Sequence, residues 1–162
     1  MSNELSGDDH ELVARYGRGV ALVEDALAHV TNEELDRCDG DQWSARMVVH
    51  HLADSETNSY LRLRRLLVEP APTVIQGYDE AAWAASEVLG YQTLPIEPSL
   101  AVFRSVRAAS ADLLSRISAA DLEREGEHTV SGPYSLRTWL RLYAEHAEQH
   151  AQQIQRARGA RS

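Results

Sequence analysis

Apolar residues recur at spacings of three and four along almost every long segment of the chain, and no stretch alternates as a half-buried strand would. That period predicts helices. The first runs from about Asp9 to His29, with Leu12, Val13, Tyr16, Val20, Val23 and Leu27 in its stripe and Asp8 or Asp9 as its cap. Thr31-Asn32-Glu33-Glu34 has the spacing of a capping box and predicts a short helical turn through Arg37, broken by Gly40. A second long helix is expected from a Ser44 cap to about Leu67, buried along Val48, Val49, Leu52, Leu63, Leu66 and Leu67. Residues 68–77 contain Pro70 and Pro72 and read as a loop. Tyr78 to Leu89 reads as a shorter helix. Pro98 suits the first turn of the next long one, which carries Leu100, Val102, Phe103, Val106, Leu113, Leu114 and Ile117. Residues 126–133 read as a polar loop, and the last helix runs from Ser135 to about Arg156.

The pattern also repeats. Thr31 to Arg37, a loop, then Trp43-Ser44-Ala45-Arg46 matches Ser118 to Arg124, a loop, then Tyr134-Ser135-Leu136-Arg137. Each copy leads into a long helix carrying histidines. The reading is an all-α fold, a four-helix bundle of two pseudo-symmetric halves with a short extra helix. No linker rich in Gly, Ser or Pro divides residues 1–162, so a single domain is expected.

Charge narrows the function more than the fold. Sixteen basic against 25 acidic residues give a net charge of −9, which disfavours nucleic acid and anionic membrane surfaces as partners. Every basic residue is Arg, so Schiff-base and lysine-nucleophile chemistry is excluded. Cys38 stands alone and cannot close a disulfide within the chain. No apolar run approaches the ~18 residues of a membrane span, and the opening segment lacks a signal-peptide core. A soluble, cytoplasmic protein is expected. The chain contains no Gly-rich phosphate loop, GxSxG elbow, CxxC pair or HExxH motif.

The candidate chemistry lies in the histidines. His146 and His150 are four residues apart, so their imidazoles stand one above the other on a helix. Both fall within the inward stripe of Leu136, Trp139, Tyr143, Ala147 and Ile154. Two core histidines satisfied by hydrogen bonds would fit this pattern, and so would two ligands of one cation. Buried neighbouring imidazoles resist protonation, and a shared ion removes their need for separate partners. A third ligand is sought on the other histidine helix. There His51 lies at the edge of the apolar stripe, in line with Ser44, Ser55 and Asn58. His50 shares the outer face with Arg46, Thr57 and Arg64 and reads as a solvated group or as support for a ligand. His128 is a possible substitute from the polar loop, while His10 and His29 read as surface residues. Trp43, Trp83 and Trp139 read as core anchors, with Trp83 the one placed to line a pocket.

Trp43-Ser44-Ala-Arg-Met-Val-Val-His50-His51-Leu-Ala-Asp54-Ser resembles the second-helix signature of the DinB/YfiT-like superfamily, and His146-x3-His150-x3-Ile154 resembles its last-helix signature. Tyr78-Asp79-Glu80-x2-Trp83 is similar to a segment of the YfiT-like branch. The agreement extends from about Ala14 to Arg158. The resemblance implies a DinB-like bundle of up-down-down-up topology, a homodimer, and a divalent ion, zinc or nickel, held by His51, His146 and His150. Three neutral imidazoles leave a coordination position open, where a water would become acidic or a thiol would be held as its thiolate. The implied activity is therefore transfer of a low-molecular-weight thiol to a small electrophile, as in bacillithiol S-transferases, with metal-dependent hydrolysis as the alternative. A metal-binding stress protein without turnover is the third reading. Asp54 and Asn58, one and two turns beyond His51, are placed to orient ligands or substrate, and Tyr78 and Trp83 to wall the pocket.

Overall fold

The computed structural model describes residues 3–160. Its helices are α1 (Gly7–Leu27), α2 (Asn32–Asp36), α3 (Ala45–Val68), α4 (Glu80–Ala85), α5 (Glu97–Leu114), α6 (Ala119–Leu122) and α7 (Leu136–Gly159). Polar side chains start them as the sequence requires. Thr31 Oγ1 accepts from the Glu34 N–H at 3.2 Å while Glu34 accepts from the Thr31 N–H at 2.8 Å, and Ser118 and Asp121 form the same reciprocal pair. The cap of α1 is Ser6 rather than Asp8 or Asp9; Asp9 is the third helical residue and closes the box from the other side.

Cross-helix contacts give the topology directly. Arg15 bonds Glu148 and Arg158 bonds the Ala26 carbonyl, so α1 and α7 run in the same direction. His50 meets Ser99 and Glu56 meets Arg107, so α3 and α5 are also parallel to each other. Ser59 receives the Trp139 indole N–H while His51 meets His146, which makes α3 and α7 antiparallel. The order is up, down, down, up, as expected.

Two apolar clusters fill the bundle. One gathers Val23, Val48, Leu52, Phe103, Ala151 and Ile154; the other gathers Tyr16, Leu63, Leu114, Leu136 and Trp139. Between them on all four helices lies a polar layer containing Glu56 and Arg107, an ion pair at 3.0 Å that is almost wholly buried. The Arg107 guanidinium also donates to the carbonyls of Tyr16 (3.1 Å) and Tyr143 (2.9 Å), joining α1 and α7. Gly19 permits that approach: a Cβ there would stand 2.8 Å from both Ala147 Cβ and an Arg107 nitrogen.

Two segments that read as loops pair instead. Strands β1 (Thr73–Ile75), β2 (Glu125–His128) and β3 (Gly132–Ser135) form one sheet, β1 parallel to β2 and β2 antiparallel to β3. Strands of three or four residues are too short to show an alternation, and β1 finds its partner about fifty residues away. Gly126 lets β2 lie directly on α3, since a Cβ there would meet Leu66 Cδ2 at 2.9 Å and the Thr73 carbonyl at 3.0 Å. The expected helix over Tyr78–Leu89 is helical only in α4, flanked by irregular backbone and then turns, and α5 stops short of Ile117 with Val102 exposed.

Candidate metal centre

Helices α3 and α7 cross with their histidines facing. His51 Nε2 lies 3.2 Å from His146 Nε2, and His150 Nε2 lies 3.1 Å from the same atom. All three donor atoms fall within 4.8 Å of one another. The inward placement of the α7 pair follows from Trp139, Tyr143, Ala147 and Ile154, all buried on the same stripe. Trp43, read as a core anchor, is instead half-buried with its ring 5.0 Å from that of His51.

This donor set fits a divalent ion. Tetrahedral ligands at 2.0–2.1 Å from zinc stand about 3.3 Å from one another, close to the separations here. His150 Nδ1 bonds the Gln153 side-chain oxygen at 2.8 Å, which fixes the proton on Nδ1 and turns the Nε2 lone pair inward. His146 Nε2 meets two such nitrogens and can donate one proton to only one of them. Meanwhile the Nδ1 atoms of His51 and His146 are buried without a hydrogen-bond partner among the described residues. Three converging imidazoles in this state lack a mutual hydrogen-bonding solution, and a cation supplies one.

Electrostatics agree. Burial lowers the His51 pKa to about 4. Burial and then the charge on His51 lower that of His150 to about 4. His146 is held well below the usual range by burial, then by His150 and His51. At neutral pH all three are uncharged ligands.

The sign of the pH dependence follows. Unfolded histidines take up protons near pH 6.5, whereas His51 and His150 resist until about pH 4 and His146 is likewise held down, so the unfolded state binds more protons in that window. Stability of the metal-free protein is expected to be fully present above pH 6.5 and lost as pH falls toward 4, by roughly 3 kcal/mol for a depression of that size at a single imidazole. Denaturant midpoints measured from pH 7.5 to 4.5 test this, with His150→Gln as comparison. An equal slope in that variant would refute the assignment.

The family now follows from comparison with known proteins. The family model of the DinB superfamily matches residues 13–154. The chain belongs to the DinB superfamily. A protein of Oceanobacillus iheyensis named "Putative metal-dependent hydrolase" is 38% identical over 136 residues, covering 82% of this chain and 76% of that protein. A Bacillus mycoides protein of the same name is 38% identical over 112 residues, covering 69% of this chain and 62% of its own length. The solved structure of YfiT from Bacillus subtilis, described as a probable metal-dependent hydrolase with an unusual four-helix bundle topology, superposes with a TM-score of 0.84. It is 27% identical, and the match covers 97% of this chain and 90% of that one.

Within this DinB-superfamily chain the other candidate residues separate. His50 is buried rather than solvated: Nδ1 meets Ser99 Oγ at 2.8 Å, Nε2 meets the Leu94 carbonyl at 3.2 Å, and both nitrogens are thereby engaged away from the cluster. Helix α5 and the turn before it cover the face of α3 that periodicity left open. Asp54 accepts from the Tyr91 hydroxyl at 2.5 Å, tying the segment after α4 to α3. Asn58 donates back to the Asp54 carbonyl at 2.9 Å within its own helix. Tyr78 packs on Trp83 with ring centroids 4.6 Å apart. His128, at the end of β2, stays outside the trio, and His10 and His29 are exposed. Residues not singled out beforehand also belong here. Gln153 is three residues beyond His150, and Arg62 extends the line Ser44, His51, Ser55 at helical spacing. Both were legible in principle from that spacing.

Proposed function

We propose that the chain is a divalent-metal-dependent enzyme in which His51, His146 and His150 hold zinc or nickel, and that it joins a low-molecular-weight thiol to an electrophilic small molecule. The convergence of three neutral imidazole Nε2 atoms, with one tautomer fixed by Gln153, carries the metal-dependent part of this reading. A divalent ion there supplies Lewis acidity to a group entering the remaining position. The protein's share is to orient the ligands through Gln153 and to shield the site with Trp43. In the transfer the sulfur forms the new bond to carbon, its proton passes to solvent, and the leaving group departs with its bonding pair. Such a step requires no strong protein base, which suits a trio of imidazoles all occupied as ligands. Hydrolysis is the second reading, favoured by the names of the relatives and by Glu80, a carboxylate that lines the same cavity as His146.

Metal analysis followed by a thiol panel with one generic electrophile tests the proposal. Metal-dependent conjugation with at least one common cellular thiol is the expected result. Metal-dependent cleavage of esters or amides without thiol would establish hydrolysis instead, and no response to metal in either assay would leave a binding protein without turnover. A homodimer belongs to the same proposal and is checked by light scattering.

A further inference from the structure

Beside His146 lies a cavity of about 240 Å3 whose lining includes Arg62, Tyr143 and two carboxylates, Glu80 and Glu145. The guanidinium is already engaged: Arg62 donates to the Tyr143 hydroxyl at 3.0 Å and to the Gln76 carbonyl at 2.9 Å. Neither carboxylate has a hydrogen bond, or a cation within 4.0 Å, among the described residues. The space thus holds acceptors without donors, and its complement is a group with a proton to give.

The two carboxylates are held differently. Glu145 adjoins His146 on α7, and its charge also reaches Arg15 of α1. Glu80 is brought to the cavity by a separate segment, residues 76–91, tied to α3 at both ends. Arg62 holds the Gln76 carbonyl, and Asp54 accepts from the Tyr91 hydroxyl at 2.5 Å. Within the segment Asp79 Oδ1 accepts from the Ala82 N–H at 2.9 Å and Tyr78 packs on Trp83, which sets Glu80 as the first residue of α4. Glu80 is not among the groups gathered within 4.8 Å, so it is no fourth ligand, and it is open to solvent. Its charge still reaches the site. Burial and then Glu80 raise the Tyr78 pKa, and Glu80 acts on His150 in the same direction after burial, His51 and Gln153.

We propose that Glu80 takes the proton of the thiol that enters the open position beside the three imidazoles. The S–H bond breaks, an O–H bond forms on the Glu80 carboxyl, and the sulfur keeps the electron pair; the exposed carboxyl then returns the proton to solvent. The inference rests on the metal and transfer reading. It gives the proton a route that the three imidazoles, occupied as ligands, do not offer.

Stopped-flow mixing with the cobalt-loaded full chain tests this, since the visible bands of cobalt report the entry of sulfur. At pH 7, 2-mercaptoethanol arrives protonated and pentafluorothiophenol arrives ionised. Glu80→Gln should slow entry of the first by about a hundred-fold. The second should enter as fast as before or faster, because it brings no proton and meets one charge fewer. Isothermal titration should find cobalt affinity retained in this variant. Equal slowing of both thiols would mark a structural role, unchanged entry of mercaptoethanol would remove Glu80 from the reaction, and lost cobalt would make it a ligand. Each overturns the proposal, as would the selective effect appearing in Glu145→Gln instead. A parent chain that binds no cobalt would strike the metal reading, and one that binds cobalt but neither thiol would strike the transfer reading; the proposal falls with either.

Discussion

His146→Ala should weaken binding of a divalent ion by about a hundred-fold or more while leaving the fold in place. The Nε2 of His146 is the central donor, within 3.2 Å of the Nε2 atoms of His51 and His150, whereas those two meet each other only through it in hydrogen-bond range. If a site of this kind binds zinc by about 10–16 kcal/mol over four ligands, losing one costs on the order of 3 kcal/mol, or about a hundred-fold in affinity. The loss of geometry between α3 and α7 adds to that. Isothermal titration with zinc or nickel reads the effect. His50→Ala is the contrast, because its nitrogens are held by Ser99 and Leu94, and it should keep the metal. Asp54→Asn should also keep it, since Asp54 accepts from Tyr91 rather than from a ligand imidazole. Unaltered metal affinity in His146→Ala would remove the centre.

The second large effect concerns stability rather than metal. Arg107→Met should destabilise the chain by about 3–5 kcal/mol, because it strands the Glu56 carboxylate in a layer that is almost fully dry. Burial pushes the Glu56 pKa up to about 7, and the Arg107 guanidinium, with Tyr16 and Ser59, keeps it from rising further. Without the guanidinium the carboxyl is held higher still, so the deficit should grow as pH rises through about 7, where the parent carboxyl ionises and the variant's stays protonated. Arg107 also bonds the carbonyls of Tyr16 and Tyr143, which adds lost hydrogen bonds to the cost. For a chain of this length the midpoint of thermal unfolding should fall by roughly 10 °C. Glu56→Gln combined with Arg107→Met should recover part of the loss by removing the charge. A decrease of less than about 1 kcal/mol in urea titrations would show that the layer is hydrated or rearranges.

The long helices were legible because each repeats its apolar residues over four turns or more, and their caps are single side chains at fixed offsets. The inward faces of His146 and His150 followed from Trp139, Tyr143 and Ile154 by the same count. His51 was legible only as an edge position, and the structure resolves the edge by placing α7 against it. His50 illustrates what periodicity omits: an outer face on one helix becomes a buried one when α5 lies across it. The sheet was not legible, since Thr73–Ile75 pairs with Gly126–His128 about fifty residues along the chain and strands so short show no alternation. Arg62 was passed over for a related reason. A lone arginine on a helix edge means little until Tyr134, from β3, and Tyr143, from α7, are seen around it.

The sheet joins the last turn of α3 to the first turn of α7, and those are the two helices that carry the imidazoles. Its pairing, together with the direct contacts of Trp139 with Ser59 and His146 with His51, fixes how far one helix slides along the other. A strand advances about 3.3 Å per residue, and a shift of one residue would turn buried Ile75 outward and exposed Val74 inward. The next alignment that keeps the faces is two residues away, about 6.6 Å along the strand. That displacement exceeds the 4.8 Å within which the three nitrogens gather. Axial alignment of the two helices is consequently stepped rather than continuous, like a ratchet with teeth wider than the site.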